Sequence, residues 1–152
     1  MLEDLKELAA GLLALHRALL ERQRLDYEAL HGPIAGGAEL LHLALHDASF
    51  DWLRILSALM VDLDTLLDDD ELPSQDEARA IRQELEELFS SAAPRQFWDS
   101  CLPLLQTPSV TMAYGRVRAV LARLPRTAPA DIAAELHAKH RWAVARRMRG
   151  AA

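Results

Sequence analysis

Disulfides, sheets and membrane spans are all excluded by what this chain has little of. Its one cysteine, Cys101, cannot close an intrachain bridge. The acidic start MLEDLKEL also lacks a positively charged leader, and the two together point to an unexported, reducing, cytoplasmic setting. Valine, isoleucine and threonine number 13 of 152 residues, against 29 leucines and 26 alanines. Strands favour the scarce types, whereas leucine and alanine lose little rotamer freedom in a helix, so the chain reads as all-α. Its longest uncharged run, Ser100 to Gly115, is interrupted by Pro103 and Pro108 and falls short of a membrane span. Aromatics make up only 5% and the net charge is −6, a poor match to a nucleic-acid-binding surface. The few glycines form no phosphate loop, because Gly32 to Gly37 lacks both the strand-turn-helix context and the lysine.

What is present is leucine at helical spacing. From Ser49 to Glu71, an advance of about 100° per residue puts Trp52, Leu53, Ile55, Leu56, Leu59, Met60, Leu63, Leu66 and Leu67 on one broad face. Asp51, Arg54, Ser57, Asp62, Asp64, Thr65 and Asp68 fall opposite. So wide a stripe needs neighbours on several sides, which predicts the central helix of a bundle, capped by Asp47 or Ser49. Ahead of it the spacing predicts a helix over Leu2–Leu30, ended by Gly32-Pro33 and Gly36-Gly37, then a short one over Ala38–His46. Behind it, Ser74 to Glu77 is a capping box. That box opens a helix with Ala78, Ile81, Leu85, Leu88 and Phe89 inward. The charged remainder of the helix predicts a place at the outside of the bundle. Arg95–Gln106 reads as a helix that bends or ends near Pro103, after a break at Ala93-Pro94. Thr107-Pro108 supplies an N-cap and first residue for a helix running to Leu124, and a last, basic helix covers about 130–148. No repeat or second core is visible. The reading is one domain, residues 1–152, folded as a bundle of five to seven helices.

Charge is unevenly spread along this bundle. Residues 1–109 hold 8 Lys/Arg against 21 Asp/Glu, and residues 110–152 hold 9 against 2. Acid at the C-terminal end of a helix, as in Asp68 to Glu71, opposes the helix dipole at typically about 0.3–1 kcal/mol per charge. Arginines from the chain's own second half are expected to compensate, with the basic last helix lying on acidic neighbours. The apolar stripe of that helix is read as Ala133, Leu136, His140, Ala143 and Val144, with Lys139, Trp142, Arg146 and Arg149 on another side.

Residues suited to chemistry are few. Glu28 and His31, and again Glu39 and His42, are spaced Glu-x-x-His, and His42 with His46 forms an i, i+4 pair. Such spacings put ligand atoms on one helical face, as in the di-iron sites of helical bundles. A di-iron site also needs inward carboxylates from two further helices, and the central helix offers only Asp62 at the rim of its apolar face. Glu28, His31, Glu39, His42 and His46 therefore define the alternative reading, a bundle holding a transition metal ion. The run Asp62 to Glu71 lacks the alternating spacing and mid-loop glycine of a calcium loop. No serine has a convincing base nearby. Cys101, set among Phe97, Trp98 and Leu102, is expected to have a raised pKa and to be inert. No catalytic residue is assigned.

Two blocks are similar to those of a known family. Tyr27-Glu28-Ala-Leu-His31-Gly32 and Phe50-Asp51-Trp52-Leu53-Arg54-Ile-Leu-Ser57 resemble the Tyr-Glu-x-x-His-Gly and aromatic-x-Trp-Leu-Arg-x-x-Ser blocks of a family of small uncharacterised bacterial all-helical proteins. The later PLLQTPSVTMAYGRVRAVL is similar to that family's second half. The resemblance implies a bacterial cytosolic helical protein with no assigned activity. On the matched positions, Glu28, His31 and Arg54 are expected to form a charge-assisted network where the first helix meets the central one. A cleft there, beside Trp52, is the place expected to hold a ligand. With 51% hydrophobic residues in a small chain and a self-complementary charge split, the expected role is protein–protein contact by a non-enzymatic homodimer. No cofactor, membrane or nucleic-acid partner is called for.

Overall fold

The computed structural model describes residues 1–90, 95–126 and 141–151. Among them are seven α-helices and no strand. These are α1 (Leu2–His31), α2 (Gly37–His46), α3 (Arg54–Asp68), α4 (Gln75–Leu88), α5 (Arg95–Cys101), α6 (Pro108–Arg123) and α7 (Arg141–Gly150). Two 3₁₀ segments, Ala48–Leu53 and Leu102–Gln106, lead into α3 and join α5 to α6. The all-α bundle expected from composition is the fold observed. No described helix is long and apolar enough to cross a membrane.

α1 is the axis of the bundle. Leu5, Leu8, Leu12, Leu15 and Leu19 are fully buried, and their three- and four-residue spacing draws one stripe along the helix. Gly32, at φ 85°, ends α1 by donating its N–H to the Glu28 carbonyl at 2.8 Å, and Pro33 cannot continue the helix. α6 runs antiparallel along one side. Arg123 at its end pairs with Asp4 (2.8 Å) and Glu7 near the start of α1. Gly11 permits the close approach, since a Cβ there would stand 3.2 Å from Val117 Cγ2. α3 lies antiparallel on another side. Its stripe of Leu56, Leu59, Leu63 and Leu66 is buried as the spacing predicts. The expectation that α3 is the central helix is corrected, however. α1 has 30 residues against 15 for α3, so only α1 is long enough to span the bundle and meet both α3 and α6.

The local signals at helix ends are used as the sequence suggests. Asp47 accepts from the Ser49 N–H at 2.8 Å and so caps the 3₁₀ segment that leads into α3. Ser74 Oγ accepts from the Glu77 N–H (3.2 Å) while Glu77 Oε2 accepts from the Ser74 N–H (2.8 Å), which completes the capping box of α4. At Cys101 the α-helix gives way to 3₁₀ geometry, one residue ahead of Leu102-Pro103. Burial pushes the Cys101 thiol up to about 11, so it stays a protonated core residue.

α4 departs from its expected place outside the bundle, because it buries Glu77 and Arg82 as well as its leucines. Arg82 Nη1 donates to the carbonyls of Leu124 and Ala122 (3.4 Å for the latter), and Nε donates to Glu86 at 2.9 Å. It thereby satisfies carbonyls that the end of α6 leaves without helical partners. Glu77 is covered by α7. Arg146 Nη1 donates to Glu77 Oε2 at 3.0 Å and Arg146 Nε to Asp69 Oδ2 at 3.1 Å. Arg149 Nη2 donates to Glu77 Oε1 at 3.0 Å, and Arg147 stands 3.6 Å from Asp62. The acidic end of α3 thus receives the arginines its dipole calls for from within the same chain.

The inward face of α7 is not the one the apolar stripe suggested. Trp142, Ala143 and Arg146 are buried while Val144 is exposed. A fully buried indole and a paired guanidinium outweigh a methyl-rich stripe, because acidic partners are waiting on α3 and α4. The expected start of this helix at Ala130, with Ala133, Leu136, Lys139 and His140, lies outside the described residues, as does the Ala93-Pro94 junction.

Candidate functional site

Where α2 crosses the groove between α1 and α3 it leaves a cavity of about 300 Å³. α1 supplies His16 and Leu20 to its wall. Leu53, Arg54 and Ser57 come from the 3₁₀ turn and the first turn of α3, and α2 lays Leu40, Leu41, Ala44 and Leu45 across the top. The placement follows from spacing. His16 and Leu20 are four apart on α1, at the edge of the buried leucine stripe, and Arg54 and Ser57 are three apart on α3.

The polar groups of this wall are nearly all occupied. His16 Nε2 lies 2.8 Å from Ser57 Oγ, and the Ser57 hydroxyl in turn donates to the Leu53 carbonyl at 3.2 Å. Because that hydroxyl has one proton, His16 Nε2 is the donor of the pair. Burial holds the His16 imidazole below its ordinary 6.5, which keeps it neutral near pH 7. Arg54 Nη1 sits 2.6 Å from Asp51 Oδ1, and its Nε reaches the Ala44 carbonyl, in the last turn of α2, at 3.4 Å. Arg54 Nη2 is buried and has no hydrogen-bond partner among the described residues.

The lid itself is unusual. α2 is mostly leucine and alanine over Ala38–Leu45, yet none of its residues is buried. Leu41 is 61% and Leu45 55% exposed, one helical turn apart. Leu30, at the end of α1, is 82% exposed. Glycines stand on the approach to α2, with Gly32 at φ 85° and Gly36 at φ 155°, conformations that side chains bearing a Cβ rarely adopt.

Sequence reasoning named Arg54 in this wall but missed its neighbours. The direct network of Glu28, His31 and Arg54 is not what joins α1 to α3. Glu28 pairs with Arg24, one turn back on its own helix. His31 stacks on Tyr27 with ring centroids 4.4 Å apart, and Arg54 turns to Asp51. Asp47, which caps the turn leading into α3, is the carboxylate that His31 and Arg54 both influence. The Ser49 N–H first, and then the charges of His31 and Arg54, hold it below the usual carboxylate range. Trp52 is a core anchor. It donates to Gln23 Oε1 at 3.1 Å and lies against Phe97 at 5.7 Å between centroids. His16 was overlooked because a lone histidine beside leucines carries no motif. Its partner Ser57 closes the same motif block as Arg54 and falls opposite the α3 stripe, but neither signal pointed to His16.

The metal-type residues do not converge. His42 and His46 stand with ring centroids 4.8 Å apart on the exposed side of α2. Glu39 Oε2 instead accepts the Ala35 N–H at 2.6 Å. Glu28 and His31 remain on α1 with Arg24 and Tyr27. Among the described residues no group of three or more His, Cys, Asp or Glu is arranged to hold a metal ion. No protein-family model, curated protein or solved structure matches this chain.

Proposed function

We propose that this is a cytoplasmic, non-enzymatic bundle protein that acts by contact, with the exposed face of α2 pairing against a second copy of the chain. The observation that carries the reading is the helix itself: an apolar ten-residue helix that only partly buries Leu40 and Leu43 on its own core and leaves Leu41 and Leu45 more than half exposed. Leaving Leu41 and Leu45 in water forgoes stabilisation of about 25 cal/mol for each Å² of apolar surface, which a partner can recover. A two-fold axis beside α2 would place the same leucines against each other, an isologous contact needing no second protein type. The charge split no longer argues for this pairing, since Arg146, Arg147 and Arg149 are matched within the chain. Sedimentation velocity at micromolar concentration tests the reading. The wild type is expected to run as a dimer, and Leu41→Asp with Leu45→Asp as a folded monomer; a wild-type monomer refutes it.

The second reading, a bundle binding a transition metal, rests on the His42–His46 pair alone. Elemental analysis of untagged protein, with melting in added zinc or manganese, discriminates the two. Substoichiometric metal and no upward shift in melting temperature remove it. The bacterial origin implied by the motif resemblance belongs with the same proposal and rests on those blocks.

A further inference from the structure

The cavity beneath α2 shares Leu41 and Leu45 with the proposed dimer face, but its polar chemistry comes from His16, Arg54 and Ser57 on α1 and α3. We infer that it is a binding site for a small, largely aliphatic, uncharged molecule carrying one hydrogen-bond acceptor, such as a ketone. Three observations select that class. The walls are chiefly leucine and alanine, so the body of the ligand must be apolar. A volume of about 300 Å³ lies at the small end of ligand cavities, too small for a nucleotide or a two-chain lipid. The remaining polar demand is a donor. His16 Nε2 and the Ser57 hydroxyl are committed to each other and to the Leu53 carbonyl, whereas Arg54 Nη2 is buried with no acceptor among the described residues.

The charge state of the acceptor follows from the neighbours of Arg54. Its guanidinium is already matched by Asp51 at 2.6 Å, and Asp47 feels its charge as well. Arg54 and Asp51 are both substantially exposed, so a further carboxylate would add like charge beside Asp51 around an already matched, solvated cation and gain little from it. A carbonyl oxygen accepts a hydrogen bond from Nη2 without adding like charge. Arg54 also touches the last turn of α2 through the Ala44 carbonyl, so an occupant held by Nη2 lies directly beneath the helix that covers it.

The test is calorimetric titration of the full chain with methyl heptyl ketone, and separately with nonanoate. The expected result is saturable binding of one ketone per chain, with nonanoate at least about tenfold weaker. Arg54→Met keeps an apolar stem, removes the donor, and is expected to weaken ketone binding about tenfold. Leu45→Trp fills the mouth from an exposed position and is expected to abolish binding while leaving the circular-dichroism melt in place. This second variant decides the matter if Arg54→Met fails to fold. No saturable ketone binding to the wild type, unchanged affinity in the variant tested, or nonanoate binding as tightly as the ketone would each overturn the assignment. Because the readout is occupancy of a cavity within one chain, a monomer in the sedimentation experiment leaves it standing, and a dimer does not establish it.

Discussion

Two helices of ten residues, α2 and α7, lie at opposite ends of α3 and behave in opposite ways. α2 is rich in leucine and stays on the outside. α7 carries four arginines, including Arg141 at its first residue, yet it sinks Trp142 to 0% and Arg146 to 4% exposure. Average hydrophobicity therefore misjudges both. What decides burial is whether the surface underneath has been prepared. Under α7, α4 and the acidic end of α3 offer Glu77, Asp69 and Glu84 as acceptors, and the Trp142 indole donates to Glu84 at 2.8 Å. Under α2 the groove offers a committed histidine–serine pair, a guanidinium turned to Asp51 and a void. A helix laid on complementary charge is fixed, whereas one laid on a void is left with its leucines available.

The sharpest way to break the comparison is to make the same kind of truncation in each helix. Trp142→Ala removes a fully buried indole and leaves a cavity, and is expected to cost about 3–5 kcal/mol in urea unfolding. Leu41→Ala on α2 is expected to change the same midpoint by no more than about 0.5 kcal/mol, since that side chain is already mostly in water. Equal losses would mean that α2 is as firmly seated as α7. The next effect in size concerns charge. Arg146→Met strips Asp69 and half of Glu77 of their partner in a buried setting, with an expected cost of about 3 kcal/mol, less whatever Arg149 still supplies. Arg147→Met, which loses only a 3.6 Å surface contact to Asp62, is expected to stay within about 0.5 kcal/mol. The Arg146 loss should also resist added salt, because screening ions do not reach a buried pair.

How much of this was legible beforehand differs between the two helices for a physical reason. Helix positions, the Ser74–Glu77 box and the buried stripes of α1 and α3 follow from local rules of capping and periodicity, and these act within a few residues. The match of C-terminal arginine to the acid of Asp68–Glu71 was legible too, because dipole and net charge are properties of segments. The facing of α7 was not. Choosing Trp142 and Arg146 over Val144 depends on where Glu77 and Glu84 lie, and α4 reads as a charged outer helix until its partner is known. The candidate site failed in the same way. Arg54 stood out in a motif, but its choice of Asp51 over Glu28, and the link from His16 to Ser57, are contacts between elements 41 residues apart in the second case.

The smallest expected effect sharpens the contrast through pH. His16 lies half-buried beneath α2 with its pKa lowered by desolvation, so the folded chain resists a proton that the unfolded chain accepts. The stability this contributes is fully present above pH 6.5, the ordinary imidazole value, and is lost as pH falls from there through the lower folded value. Protonating the ring would leave a charge in an apolar wall. Nε2 can still donate to Ser57, but Nδ1 would gain a proton that also needs an acceptor. The carboxylates held low by hydrogen bonds, Asp47 and Asp69, act in the same direction but only at more acidic pH, below the usual carboxylate range. Urea midpoints measured stepwise between pH 7.5 and pH 5 separate the two groups. The wild type should lose stability in that interval, and His16→Gln, which keeps a donor for Ser57 but cannot titrate, should lose less. Parallel curves would show that the wall beneath α2 is open enough to water for the imidazole to titrate as it does in the unfolded chain. In that case the wall would be too wet for the apolar site inferred there, whose one free donor is Arg54 Nη2.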